Sequence, residues 1–220
     1  MRVRRLSLVD GARAATGTAV IIDVFRAFTT AAFVIAAGAR EIVLVADHEH
    51  ALARKAADPS LFLTGEINGW PIPGFDAGNS PSLIRHLDLS GRRVVQRTSA
   101  GTQCVVAASG ARRIVLGSLV IAAATLRHVR AIGDDVTLVA TSTTDPPDGD
   151  EDLACAVYLE RQLLDGAAPP PAIRLLRDEE GWPEFFPRED AVLALQLDRF
   201  DFALPISREG GLLIARPVFG

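Results

Sequence analysis

The run Thr18-Ala-Val-Ile-Ile-Asp23 constrains the fold more than any other stretch: an uncharged, apolar segment that ends abruptly in an acid. An apolar run without alternation is the pattern of a parallel strand buried on both faces. Val24 to Thr30 turns the chain into an alanine-rich helix through Ala37, Gly38 stops it, and Glu41–Val45 is the next strand. The alternation continues. Asp47–Ala57 predicts an exposed charged helix, Leu61–Leu63 a strand and Leu83–Leu87 a helix. Arg92–Gln96 predicts a strand, Arg97–Thr102 the turn into a helix that ends at Gly110, and Ile114–Leu116 and Asp135–Thr141 further strands. Leu153–Leu164 is helical, stopped by Gly166; a helix near Glu189–Leu197 precedes a closing hairpin, 202–206 and 212–216 about Gly210-Gly211. Such alternation gives an α/β protein: three layers, α/β/α, around a mainly parallel, mixed sheet, forming one domain over residues 1–220.

A shift of 72 residues lays AAGAREIVL (36–44) over ASGARRIVL (108–116), and Thr30 over Thr102. This reads as an internal duplication of a strand–loop–helix–strand unit. Chance similarity between two amphipathic α/β units is the alternative.

The net charge of −4 argues against a nucleic-acid partner, which calls for a basic face. The longest uncharged apolar stretches, Ala27–Ala39 and Ile114–Leu126, are too short to span a bilayer, and no signal-type run follows the basic MRVRR start. Cys104 and Cys155 read as reduced core residues of a cytoplasmic protein. Trp182, Phe185 and Phe186 read as cover for the core. Self-association into a homo-oligomer is open.

In parallel sheets the loops leaving the carboxyl ends of strands gather at one edge, and ligands bind there. The loops 23–30, 64–81, 97–102 and 142–152 all follow strands and precede helices, so they are expected to meet. They bring Asp23, Glu66, Asp76, Glu151 and Asp152, the arginines Arg26 and Arg97, and the hydroxyls of Thr29, Thr30, Ser80, Thr98, Ser99 and Thr102. Converging carboxylates repel unless a cation neutralises them, and hard oxygen donors with few histidines suit Mg²⁺. Arginines beside hydroxyls at helix starts suit an oxyanion such as phosphate. Ser80-Pro81 is an N-cap and N1 pair, which places Asn79 and Ser80 at unsatisfied amides. The set reads as a Mg²⁺-dependent site for a phosphorylated small acid. No Ser/His/Asp arrangement, GxxxxGK[ST] loop or GxGxxG motif is present.

IDVFRAFTT (22–30), GE (65–66), GFDAGNSP (74–81), RTSAGT (97–102), LGS (116–118) and EDLACA (151–156) resemble the motif series of the 2-phosphosulfolactate phosphatase family, over roughly residues 19–160. GFDAGNSP is the most specific of them. The resemblance implies an α/β/α fold and Mg²⁺-dependent hydrolysis of 2-phospho-3-sulfolactate to 3-sulfolactate and phosphate. On this chain that gives Asp23, Arg26, Glu66 and Arg97 catalytic roles and makes Asp23, Asp76, Glu151 and Asp152 candidate ligands of Mg²⁺. Thr29, Thr30, Asn79, Ser80, Thr98, Ser99, Gly101 and Thr102 would bind substrate. Attack by a cation-activated water and transfer through an aspartyl phosphate at Asp23 are both compatible with these residues. Ala100, Ile67 and Val157 depart from the family pattern, where asparagine, arginine and glycine are usual; a non-catalytic anion-binding protein and a phosphatase of another small phospho-acid are the alternative readings.

Overall fold

The structure is a computed structural model that describes residues 1–142, 151–171, 173 and 183–220. Trp182 and the acids between 143 and 150 lie outside these residues. The strands are β1 (Val3–Ser7), β2 (Thr18–Ile22), β3 (Glu41–Leu44), β4 (Phe62–Ile67), β5 (Trp70–Pro71) and β6 (Ala77–Gly78). They continue with β7 (Arg93–Arg97), β8 (Arg113–Gly117), β9 (Val136–Ala140), β10 (Phe202–Glu209), β11 (Leu212–Ala215) and β12 (Val218–Phe219). The helices are α1 (Leu8–Arg13), α2 (Ala27–Ala36), α3 (His48–Ala57), α4 (Pro81–Ile84), α5 (Gly101–Ala107), α6 (Ala122–Ile132), α7 (Glu151–Asp165) and α8 (Arg188–Ala194).

The strands form one sheet in the order β1-β9-β2-β8-β10-β11-β3-β7-β4-β5, with β6 also on β4 and β12 on β10. It consists of two parallel blocks, β1/β9/β2/β8 and β3/β7/β4, joined by the antiparallel β10–β11 hairpin. The sequence places that hairpin last in the chain, but it sits mid-sheet: Leu204 pairs with Leu116 and Leu213 with Leu44. Alternation explains why. Phe202, Leu204 and Ala215 join one core cluster and Ile214 another, so the hairpin presents apolar side chains that suit a mid-sheet position. The edge strand β1 and helix α1 are not anticipated from the arginine-rich start.

The 72-residue repeat has a topological counterpart. β2 leads through α2 to β3 in the other block, and β7 leads through α5 back to β8. The first strand of each unit therefore pairs with the second strand of the other, β2 with β8 and β7 with β3. The two blocks consequently run in opposite senses, which differs from loops gathered along one edge of a uniformly parallel sheet. A twist of about 20–25° per step, summed over the five steps from β2 to β7, turns the strand direction by about 100–125°. The carboxyl ends of β2 and β7 thus converge, and the contact is direct: Gln96 Nε2 donates to Ala27 O at 2.8 Å.

Helix α2 lies at the centre, with every residue from Ala27 to Ile35 buried. A helix apolar all round belongs inside a protein, and its alanines let neighbours approach closely. Phe28, Phe33, Ile21, Ile114 and Leu116 pack on this side, while Val20, Ile22 and Val115 point to a second cluster under α6 and α7. A third cluster, Val43, Leu63, Val95 and Ile214, lies under α3. Layers on both faces of each block explain the unbroken apolar runs. Burying each of these large side chains contributes about 1.5–3 kcal/mol.

Candidate functional site

Asp23 is the first residue beyond β2, and its side chain is 5 % exposed. A buried carboxylate needs partners. Its Oδ1 accepts from Ala27 N at 2.8 Å, in the first turn of α2. Burial, reinforced by the charge of Glu66, pushes its pKa up to about 6, against the amide of Ala27, the Thr141 hydroxyl and Arg26. Asp152, in the first turn of α7, reaches the same place. Its Oδ1 accepts from Val24 N at 2.6 Å, and its Oδ2 accepts from Thr141 Oγ1 at 3.0 Å and Ser142 N at 3.1 Å. Asp152 therefore binds the end of β9 to the loop after β2. Burial, then the charges of Asp23 and Glu151, raises its pKa as well.

Glu66 enters from β4. Asn68 and Gly69, both at positive φ, form the two-residue Asn-Gly turn of the β4–β5 hairpin. That turn folds Gly69 N back onto Glu66 Oε2 at 2.6 Å, while Ser99 donates to Glu66 through its amide and, at 3.1 Å, its hydroxyl. The Asn-Gly pair is a local hairpin signal inside the stretch 64–81, which therefore differs from a single loop. Both oxygens of Glu66 are thus engaged in holding the 97–99 turn. Arg97 donates to Ala46 O at 3.1 Å, Glu66 O at 2.8 Å and Ser99 Oγ at 3.3 Å, and among the described residues it makes no ion pair.

Gly101 closes the centre of the site. A Cβ there would lie 2.7 Å from Asp23 Oδ2 and 2.8 Å from Ala27 Cβ, so only glycine lets the starts of α2 and α5 meet. Thr98 and Thr102 satisfy one another: Thr98 N donates to Thr102 Oγ1 at 2.8 Å and Thr102 N to Thr98 Oγ1 at 3.0 Å. Thr29 donates to Val24 O at 2.8 Å and shares a 2.7 Å hydrogen bond with Ser118. These threonines build the loops; the structure leaves none of their hydroxyls turned outward. Thr30 Oγ1 and Asn79 Oδ1 are buried without a partner among the described residues.

The structure brings Asp23, Arg26, Glu66, Ser99, Gly101 and Asp152 together, with Arg97 bonded to Ser99 and Glu66 and Glu151 beside Asp152. It does not bring Asp76. That side chain pairs with Lys55 and accepts from Leu63 N at 2.7 Å, at the opposite end of β4 from Glu66. The reason is β6, whose Ala77 pairs with Thr64 and carries Asp76 back along the strand. Phe185 and Phe186 also differ from expectation. Phe185 packs on Trp70 with centroids 5.5 Å apart, and Phe186 lies 4.6 Å from the Arg26 guanidinium carbon, so both border the site rather than cap the core.

Asp190, Thr141 and Gln96 are parts of the site that sequence reasoning missed. Asp190 is fully buried and pairs with Arg26 at 2.9 Å. A signal existed: Asp190 falls on the stripe 190, 193, 194 and 197, which is otherwise apolar.

Asp23 has the acids Asp152 and Glu66 for neighbours, and the charge of nearby Arg26 is already matched by Asp190. This excess suits a hard cation. Among the described residues, no three His, Cys, Asp or Glu side chains form a ligating group. The fit is therefore to a cation held by one or two carboxylates with water and substrate oxygens filling the rest, as Mg²⁺ commonly is.

The chain matches the family model described as 2-phosphosulpholactate phosphatase over residues 6–194. It is 30 % identical over 203 residues to a Bacillus subtilis protein named "Probable 2-phosphosulfolactate phosphatase", covering 87 % of each chain. A Deinococcus radiodurans protein of the same name is 40 % identical over 147 residues, 66 % of this chain and 61 % of the relative; one from Carboxydothermus hydrogenoformans is 36 % identical over 140 residues, 64 % and 58 %. Against those two relatives the match spans about three fifths of their length. With the match running from β1 into α8 and so enclosing every loop of the carboxylate cluster, the chain belongs to the 2-phosphosulpholactate phosphatase family.

Proposed function

We propose that this protein is a Mg²⁺-dependent phosphatase of a small phosphorylated acid, hydrolysing 2-phosphosulfolactate to 3-sulfolactate and phosphate. Family membership supports the reaction class, and the name carried by the relatives supports the substrate. One observation carries the reading. Among the described residues, Glu66 and Asp152 each accept three hydrogen bonds, whereas Asp23 accepts one from Ala27 N and has the Thr141 hydroxyl beside it. Asp23 is thus an oriented acid with an oxygen to spare.

Asp23 would hold the Mg²⁺, with Asp152 and Glu151 alongside. When bound, the ion supplies positive charge to offset the carboxylates and the phosphoryl oxygens. Phosphoryl transfer asks little covalent chemistry of a protein and much positioning. Arg26 and Arg97 donate to the anionic groups of the substrate, and Arg97, which has no acidic partner among the described residues, contributes its full charge. Glu66 fixes the Ser99 turn between them. The buried surroundings of Asp23 exclude bulk water, which strengthens every one of these interactions.

The test is phosphate release from 2-phosphosulfolactate and a panel of small phospho-acids, with Mg²⁺ and with EDTA. Metal-dependent release is expected, fastest with 2-phosphosulfolactate. No release from any of them, alongside measurable binding of inorganic phosphate, would instead make this a non-catalytic anion-binding member of the family. Faster release from another phospho-acid would reassign the substrate.

A further inference from the structure

We infer that Asp190 is a positioning residue that fixes the Arg26 guanidinium for the substrate anion and locks it to the start of α4. The inference rests on the phosphatase reading of the site. Asp190 belongs to α8, is fully buried, and divides its two oxygens between two tasks. Oδ2 accepts from Arg26 Nη1 at 2.9 Å; Oδ1 accepts from Ser80 Oγ at 2.8 Å and from Ser82 N at 2.9 Å. Ser80 stands at the N-cap of α4 yet makes no cap bond of its own. Asp190 supplies the missing acceptor from another helix. Ser80 therefore anchors the carboxylate that anchors Arg26, instead of meeting a ligand itself.

Arg26 is restrained on three sides. Besides Asp190, its Nη2 donates to Gly69 O at 3.4 Å and Phe186 covers one face at 4.6 Å. A guanidinium carries five N–H donors, so three are uncommitted among the described residues, in a side chain 6 % exposed. A flexible arginine would lose rotamer freedom on meeting a phosphate. One held in place by a charged hydrogen bond has lost it already.

The experiment is a double-mutant cycle between Asp190→Asn and Arg26→Ala, read as KM and kcat for 2-phosphosulfolactate and as Kd for inorganic phosphate. Asp190→Asn should raise KM and the phosphate Kd about tenfold or more in the wild-type background and have less than a twofold effect once Arg26 is absent. A merely structural role would cost the same in both backgrounds, and that additive result would overturn the inference. Should Asp190→Asn fail to fold, Ser80→Ala loosens Oδ1 while keeping the ion pair, and should raise KM several-fold with kcat little changed; an unchanged KM would overturn it. Coupling in phosphate Kd without turnover would refute the phosphatase reading alone. Turnover with additive effects would refute the role of Asp190 alone, and a wild-type protein that neither binds phosphate nor turns over would refute both.

Discussion

Replacing Asp23 with asparagine should stabilise the metal-free protein at neutral pH. The folded-state pKa is raised from 3.8 to about 6, with burial as the main cause. Below the lower value the acid is protonated in both states, and above about 6 it is ionised in both. Between them the folded protein keeps a proton that the unfolded chain releases, so stability falls as pH rises through this window. A shift of about two units at 1.36 kcal/mol per unit costs on the order of 3 kcal/mol at pH 7. Asparagine keeps the oxygen that accepts from Ala27 N and removes the charge. At about 2–4 °C per kcal/mol for a chain of this length, Asp23→Asn should melt about 6–12 °C higher than wild type at pH 7 in EDTA. The difference should shrink towards zero near pH 4, where other carboxylates titrate equally in both proteins. A variant that melts lower, or a difference that does not change between pH 4 and 7, would refute the reasoning.

Mg²⁺ should raise the wild-type melting temperature but not that of Asp23→Asn, because only a cation that binds the folded state can stabilise it. Gly101→Ala drives a methyl onto Asp23 Oδ2 and Ala27; it should cost about 1–3 kcal/mol and most of the activity, as calorimetry and phosphate release would show. Phe33→Ala, in the centre of the core, should cost about 3–5 kcal/mol by urea denaturation with little change in KM. Asp76→Ala should lose stability through Lys55 and Leu63 N and retain turnover when assayed below its melting point. Glu41 is raised by burial but lowered further by Arg93 and Arg216, so its stabilising effect is present above its ordinary value of 4.5 and lost as pH falls below it. The destabilisation caused by Glu41→Gln should accordingly shrink in melts as pH falls below 4.5.

Much of the fold could be read in the chain because apolar runs and glycine stops are local signals. Thr18–Ile22 and the alanines of α2 announce a buried strand and a buried helix, and both formed where expected. What could not be read is non-local. Nothing in Phe202–Ile206 states that it will pair with β8 in the middle of the sheet, or that β2 and β8 will exchange partners with β7 and β3. The site divides in the same way. Asp23, Glu66 and Asp152 stand at strand or helix ends, where position predicts convergence. Asp76 stands in the same loop as Glu66 but is carried off by the short β6 pairing, which two residues of sequence do not declare. Asp190 entered from a helix far along the chain, visible only as an acid on an apolar stripe. The glycine of Asn68-Gly69 has a local cause, since the turn needs positive φ at both positions.

We propose the buried acid at the end of β2 as the reacting centre of a phosphatase. Steady-state phosphate release by Asp23→Asn, measured beside its melting curve, tests it most directly. Asp23→Asn should be folded, more stable than wild type without metal, with kcat lowered by a factor of about 10³ or more, the loss of roughly 4 kcal/mol of transition-state stabilisation. A folded Asp23→Asn protein that releases phosphate at the wild-type rate would contradict it.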